Sequence, residues 1–341
     1  MDGRTLTQAQ VPDCLTRALA ALGECGIPVA VLREFEASKP LVEVDLLVPS
    51  HRRGELRRAL VACGFAPLRA WGHRGHDFYL AYSAADRLWL KLDFVTRLAG
   101  ADGERALAGR RRVDGLPRLD PRVEAALLLL HCVVDKQGTP GRHETKLRRL
   151  VAAGTTPPPG APAALQRLWP ELERAVAGPR AVVPDALVRS VTDVVAPDRA
   201  HHMRRDRWLR RASRVRRALR PAAVIVVVLD APNRATARLV RELGPGARCV
   251  SLPRARGPLA LVRRRLSVEL ERRRRDGPVV VDAGPRATGL APADVTVVGA
   301  VAADAETASA AVAINEAIWG AYRRRLLGRG CAASSQTGRL R

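Results

Sequence analysis

The chain has 341 residues, 47% of them apolar and 27% charged, which excludes a disordered polypeptide and is enough for two folded units. No apolar run reaches bilayer length, no basic-then-apolar leader opens the chain, and the six cysteines form no CxxC pair, so the expected setting is cytoplasmic, without membrane partners. The formal net charge is +24, all but four of the 58 basic residues are arginine, and aromatic residues are only 4%, which argues against base-stacking platforms and leaves two readings: a surface for phosphate-rich partners, or a solvated one shaped by composition.

In chain order, Leu15, Leu19 and Leu22 predict a helix over 12–24, followed by strands over 27–32 and 41–48. Ser50 reads as the N-cap of a helix over 51–63 that Gly64 closes. Strands are expected over 65–70, 77–83 and 88–95, making an α+β sheet unit. Asp120-Pro121 is a strong helix start, with Asp as N-cap and Pro at the first helical position. That helix runs to Gly138, and further helices are expected over 142–152, 163–177 and 184–195, with the breaker-rich Thr155–Pro162 between the first two of these.

Residues 201–220 (HHMRRDRWLRRASRVRRALR) predict an exposed basic helix between two units. Strands over 222–229, 248–252, 279–282 and 294–299 alternate with helices over 235–243, 258–275 and 307–327. That alternation implies a doubly wound parallel α/β unit. The expected division is 10–110 for the sheet unit, 111–198 for a helical extension, 199–221 for a basic linker, 222–328 for the parallel unit and 329–341 for a tail.

The chemistry concentrates in two strands, Leu41-Val-Glu43-Val-Asp45-Leu-Leu-Val48 and Trp89-Leu-Lys91-Leu-Asp93-Phe-Val95. A period of two places Glu43 and Asp45 on one face. If the strands pair, Asp93 joins them, and three converging carboxylates suit a hard divalent cation such as Mg²⁺. The alternative is a row of solvated acids on a sheet. Weaker groupings are Cys63, His73 and His76 as zinc ligands, which lack a fourth, and His131 with Asp135 one helical turn apart, which reads first as a satisfied helix histidine. His143 and Lys146 are expected near a cleft.

Leu32-Arg33, Val-Glu-Val-Asp-Leu-Leu-Val, Ala62-Cys-Gly-Phe65, His76-Asp-Phe-Tyr79, Leu90-Lys-Leu-Asp-Phe-Val95 and Leu130-His-Cys-Val-Val-Asp-Lys136 together resemble the nucleotidyltransferase-like proteins of the DNA polymerase β superfold. The resemblance spans roughly residues 10–200 and is nearest to an uncharacterised bacterial group of that superfold. It implies an NTP substrate, Mg²⁺ held by Glu43, Asp45 and Asp93, an acceptor hydroxyl activated by Asp93, and phosphate contacts from Arg33 and Lys91. Two departures stand out. Glu43 replaces the first metal aspartate, and Val31-Leu-Arg-Glu-Phe35 lacks the glycine that lets backbone N–H groups approach phosphate.

The order of elements over 222–327 resembles thymidylate kinase-like P-loop proteins, with Arg234 and Thr236 as the remnants of a phosphate loop. Residues 222–238 contain neither the glycines nor the lysine such a loop needs. The sequence therefore supports two main functions: a Mg-dependent nucleotidyltransferase acting on an unknown acceptor, or a non-catalytic scaffold of two decayed nucleotide-binding units. Binding of nucleic acid through the Arg-rich linker is a third.

Overall fold

The computed structural model describes residues 11–33, 35, 41–68, 75–138, 141–178 and 182–196, four later strands, and helical positions 312, 313, 315, 316, 318–320 and 323. The expected basic helix over 201–220, the helices over 235–243 and 258–275, and both Arg234 and Thr236 lie outside the described residues.

Seven strands form the first sheet: β1 (Ala30–Val31), β2 (Leu41–Leu47), β3 (Ala66–Pro67), β4 (His76–Ser83), β5 (Leu88–Val95), β6 (Arg111–Val113) and β7 (Leu116–Arg118). Their order is β3-β4-β5-β2-β1-β7-β6, so the two acidic strands are central. β2 and β5 pair in parallel, as do β1 and β7, and the other neighbours are antiparallel. Pro67 suits β3 because an edge strand leaves one row of N–H groups unpaired anyway.

Alternation sorts the central strands into two faces. Val42, Val44 and Leu46 of β2 join Leu90, Leu92 and Phe94 of β5 in the main core. Helices α1 (Asp13–Glu24) and α2 (Arg53–Ala62) cover that face through Leu15, Ala18, Leu22, Leu56 and Leu60. Ser50 does not cap α2. It opens a single 3-10 turn, Ser50–Arg52, and the residue at the N-cap is Arg52, with no side-chain cap. Arg52 donates instead to Glu55 in the first turn and to the Cys25 carbonyl.

Residues 96–119 carry two elements absent from the sequence reading. Asp102 caps the short helix α3 (Gly103–Ala108) by accepting from the amides of Glu104 and Arg105. The β6–β7 hairpin closes through Asp114-Gly115, both with positive φ, the conformation a two-residue hairpin turn requires. Leu107 and Leu119 from this region pack on Ala30, Leu32, Leu47 and Val95, which covers one end of the sheet's second face.

Helices α4 (Pro121–Val134), α5 (Glu144–Ala152), α6 (Ala163–Ala177) and α7 (Asp185–Val195) follow, with Asp120 capping α4 as its sequence predicts. Leu129, Val133, Leu147, Leu165, Trp169, Leu172, Val188 and Val191 form their shared core.

The later strands β8 (Val224–Leu229), β9 (Arg248–Ser251), β10 (Val279–Asp282) and β11 (Val295–Gly299) form a separate sheet of order β11-β8-β10-β9, parallel throughout. The chain is therefore mixed α/β, with one mixed and one parallel sheet. Among the described residues no helix is long and apolar enough to cross a membrane.

Candidate metal centre on the central strands

The parallel register sets Asp45 beside Asp93 and Glu43 beside Lys91. Neighbours in register share a face, so these four side chains project from the face opposite α1 and α2. β4 supplies Phe78 beside Asp93 and Leu80 beside Lys91. One oxygen each from Glu43, Asp45 and Asp93 lies within 4.8 Å of the others. The three carboxylates named from the sequence are thus brought together. All-oxygen donors on a rigid sheet suit Mg²⁺ or Mn²⁺ better than zinc.

The carboxylates differ in environment. Glu43 is exposed, Asp45 is intermediate and Asp93 is buried at 9% of its free surface. Burial raises the pKa of Asp45 above its ordinary 3.8. The nearby Arg33 guanidinium pulls it down, and Asp93 and Glu43 push it further up. Such a site favours the arrival of positive charge.

Each carboxylate already faces a basic group. Lys91 Nζ donates to Glu43 Oε1 at 2.7 Å and lies 4.7 Å above the Phe78 ring. Arg33 Nη1 is 3.4 Å from Asp45 Oδ2. His76 Nδ1 lies 2.9 and 3.1 Å from the two oxygens of Asp93. An ionised carboxylate only accepts, so with Asp93 ionised Nδ1 carries the hydrogen. The resemblance implies phosphate contacts from Arg33 and Lys91, and both side chains lie at the carboxylates. It does not assign His76 to Asp93. The strand expected over 77–83 leaves His76 out, whereas the structure makes it the first residue of β4, one rung from Asp93.

The weaker groupings are placed elsewhere. Cys63 Sγ faces the Arg17 carbonyl at 4.0 Å, far from the carboxylate face, and His73 lies outside the described residues. His131 Nδ1 meets Asp135 Oδ2 at 2.9 Å, the satisfied pair expected on one helix face, and its ring meets His143 edge-to-face at 5.9 Å. Lys146 donates to Glu124 at 2.7 Å, tying α5 to α4.

No protein-family profile matches the chain, and no curated protein sequence matches it. Among solved structures it is similar to the solution structure of the antibiotic-resistance factor ANT(2'')-Ia. The identity is 15% and the TM-score 0.34, over 58% of this chain and 100% of that one.

Proposed function

We propose that the first unit is a Mg-dependent nucleotidyltransferase that moves a nucleotidyl group from an NTP to an acceptor hydroxyl. The observation that carries this reading is the convergence of Glu43, Asp45 and Asp93 on one face of paired central strands. Divalent metal bound by these oxygens would neutralise triphosphate charge and align an in-line displacement. Asp93, buried and oriented by His76, is placed to take the proton of the attacking hydroxyl. Lys91 and Arg33 face these carboxylates and would pass from carboxylate to phosphate oxygens as substrate arrives.

The test is transfer of label from an NTP in Mg²⁺, with a panel of hydroxyl acceptors. Asp45→Ala is expected to reduce transfer to background while the circular dichroism spectrum stays unchanged. Equal transfer by wild type and variant overturns the reading.

A specific observation favours a second reading, the non-catalytic scaffold. All three carboxylates already have basic partners, and residues 31–35 offer no glycine for phosphate. Calorimetry with NTPs and Mg²⁺ separates the two, since a scaffold gives no heat with any nucleotide.

For the rest of the chain we propose the division already drawn: 10–110 for the transferase-like sheet, 111–198 for the helical extension, 199–221 for a basic linker, 222–328 for a degenerate P-loop kinase-like unit and 329–341 for a tail. The parallel order β11-β8-β10-β9 supports the kinase-like reading, because β8 has later strands on both sides. In open α/β sheets such a reversal marks the ligand crevice. The segment after β8 contains Arg234 and Thr236 and no glycine before position 244, which supports a phosphate loop that no longer works.

A further inference from the structure

A long-range contact joins β5 to the helical residues near position 315. Trp89 Nε1 donates to Asn315 Oδ1 at 2.9 Å across 226 residues, and both side chains are buried. Trp319, one helical turn beyond Asn315, meets the Trp89 ring edge-to-face at 5.9 Å, and Ile318 between them is fully buried. Tyr82 lies beside Trp89 in the register of β4 and β5, with its ring 5.1 Å away.

Trp89, Lys91 and Asp93 alternate onto the same face of β5. Through Trp89 the helical residues Asn315 and Trp319 reach the carboxylate face one rung from the Lys91–Glu43 pair, about 7 Å along the strand, and Trp319 also packs against the main core. The other end of this face is closed by Leu107 and Leu119. The carboxylates occupy the gap between the two coverings.

The contact is polar where an apolar one would suffice. Asn315 has a carbonyl for the Trp89 indole and an amide NH₂ on the side of the buried Tyr82 hydroxyl, whose pKa burial raises and Asn315 partly offsets. Buried polar groups of this kind fix one docking register, because sliding the helix would strand the indole N–H without an acceptor.

We propose that the helical residues Asn315, Ile318 and Trp319 wall one end of the carboxylate cleft, and that Asn315 is a positioning residue that holds Trp89 and, through β5, the Lys91–Glu43 rung. The proposal deepens the transferase reading and rests on the same site, but its test does not need catalysis.

Lysine labelling of the full chain, read by mass spectrometry at each position, tests it. Lys91 is only 12% exposed and should label slowly in the wild type. Asn315→Leu is expected to raise its labelling at least fivefold, with Lys146 in the helical extension unchanged as an internal reference. Trp89→Phe, which removes the indole donor together with part of the buried ring, should raise it similarly, and the double variant should add little to either. Unchanged Lys91 labelling in Asn315→Leu overturns the proposal, as does an equal rise at Lys91 and Lys146, which would mean general loosening. Failure of the wild type to bind Mg²⁺ alongside an intact Lys91 response would remove the transferase reading and leave the positioning of the rung standing.

Discussion

Asp45 holds the most informative titration in the molecule. Its proton is bound more tightly in the folded chain than in the unfolded one, because burial penalises the ionised form more than Arg33 favours it. Its contribution to stability is therefore fully present below the ordinary carboxylate value of 3.8 and is lost as pH rises through the raised folded value. Without metal, Asp45→Asn should match wild-type stability near pH 4 and exceed it at pH 7. Millimolar Mg²⁺ should raise the melting temperature of the wild type and leave that of the variant where it was. A wild type more stable than the variant at pH 7 without metal would show that the Arg33 pair outweighs burial. The cysteines permit a second residue-scale prediction. Burial pushes the thiols of Cys14 and Cys132 up to about 11, whereas Cys25 is exposed. Thiolate is the nucleophile, so at pH 8 each buried thiol presents roughly one part in a thousand in reactive form. Maleimide should modify Cys25 well before Cys14 and Cys132, which it should reach only on unfolding, read by peptide mass spectrometry.

Among the elements, the central strands were legible because apolar residues alternate with Glu43 and Asp45 in one and with Lys91 and Asp93 in the other. Their parallel pairing was not, since a period of two fixes faces and says nothing of direction. The α3 helix and the β6–β7 hairpin escaped because they are six and three residues long, too short for periodicity to register. Their local chemistry was nonetheless present as an Asp N-cap and an Asp-Gly turn. The caps of α4 show the opposite case, where Asp120-Pro121 and Gly138 mark the start of the helix and the turn that follows it. Gly138 also offers a stability test. It has φ +80°, and a Cβ there would lie 2.7 Å from the Val183 carbonyl oxygen and 2.8 Å from Val188 Cγ2. Its own carbonyl accepts from the Val183 amide, so the turn after α4 is pinned to the start of α7. Gly138→Ala should cost at least about 1–3 kcal/mol from the backbone conformation alone, with further loss from the clash. The denaturant midpoint should fall accordingly, and limited proteolysis should cut first within 139–184. An unchanged midpoint would mean that α7 moves away without penalty.

For the whole molecule, the formal charge of +24 raises the question of where that charge acts. On the central sheet it is locally spent, with Arg33 and Lys91 each facing a carboxylate. Other basic side chains do the same, as in Arg53 with Asp77 and Arg148 with Glu144. The stretch 201–220 is different in composition, with nine arginines and a single aspartate. A phosphate-rich partner is therefore expected to bind through this stretch and not through the carboxylate face. If it does, binding of a polyanion releases condensed counterions, and log affinity should fall linearly with log salt by about 0.7–0.9 per phosphate neutralised. Fluorescence anisotropy with a labelled 20-nucleotide single strand, from 50 to 200 mM salt, measures that slope. Replacing Arg210, Arg211, Arg214, Arg216 and Arg217 by Gln should flatten it, in proportion to the phosphate contacts removed, while Asp45→Asn leaves it unchanged. A slope equal in the five-fold variant and the wild type would move the polyanion site elsewhere on the chain, and a flat wild-type response would remove the partner altogether. The two variants thus separate the two proposed uses of phosphate: a few oxygens aligned at three carboxylates, and many gathered by an arginine-rich sequence.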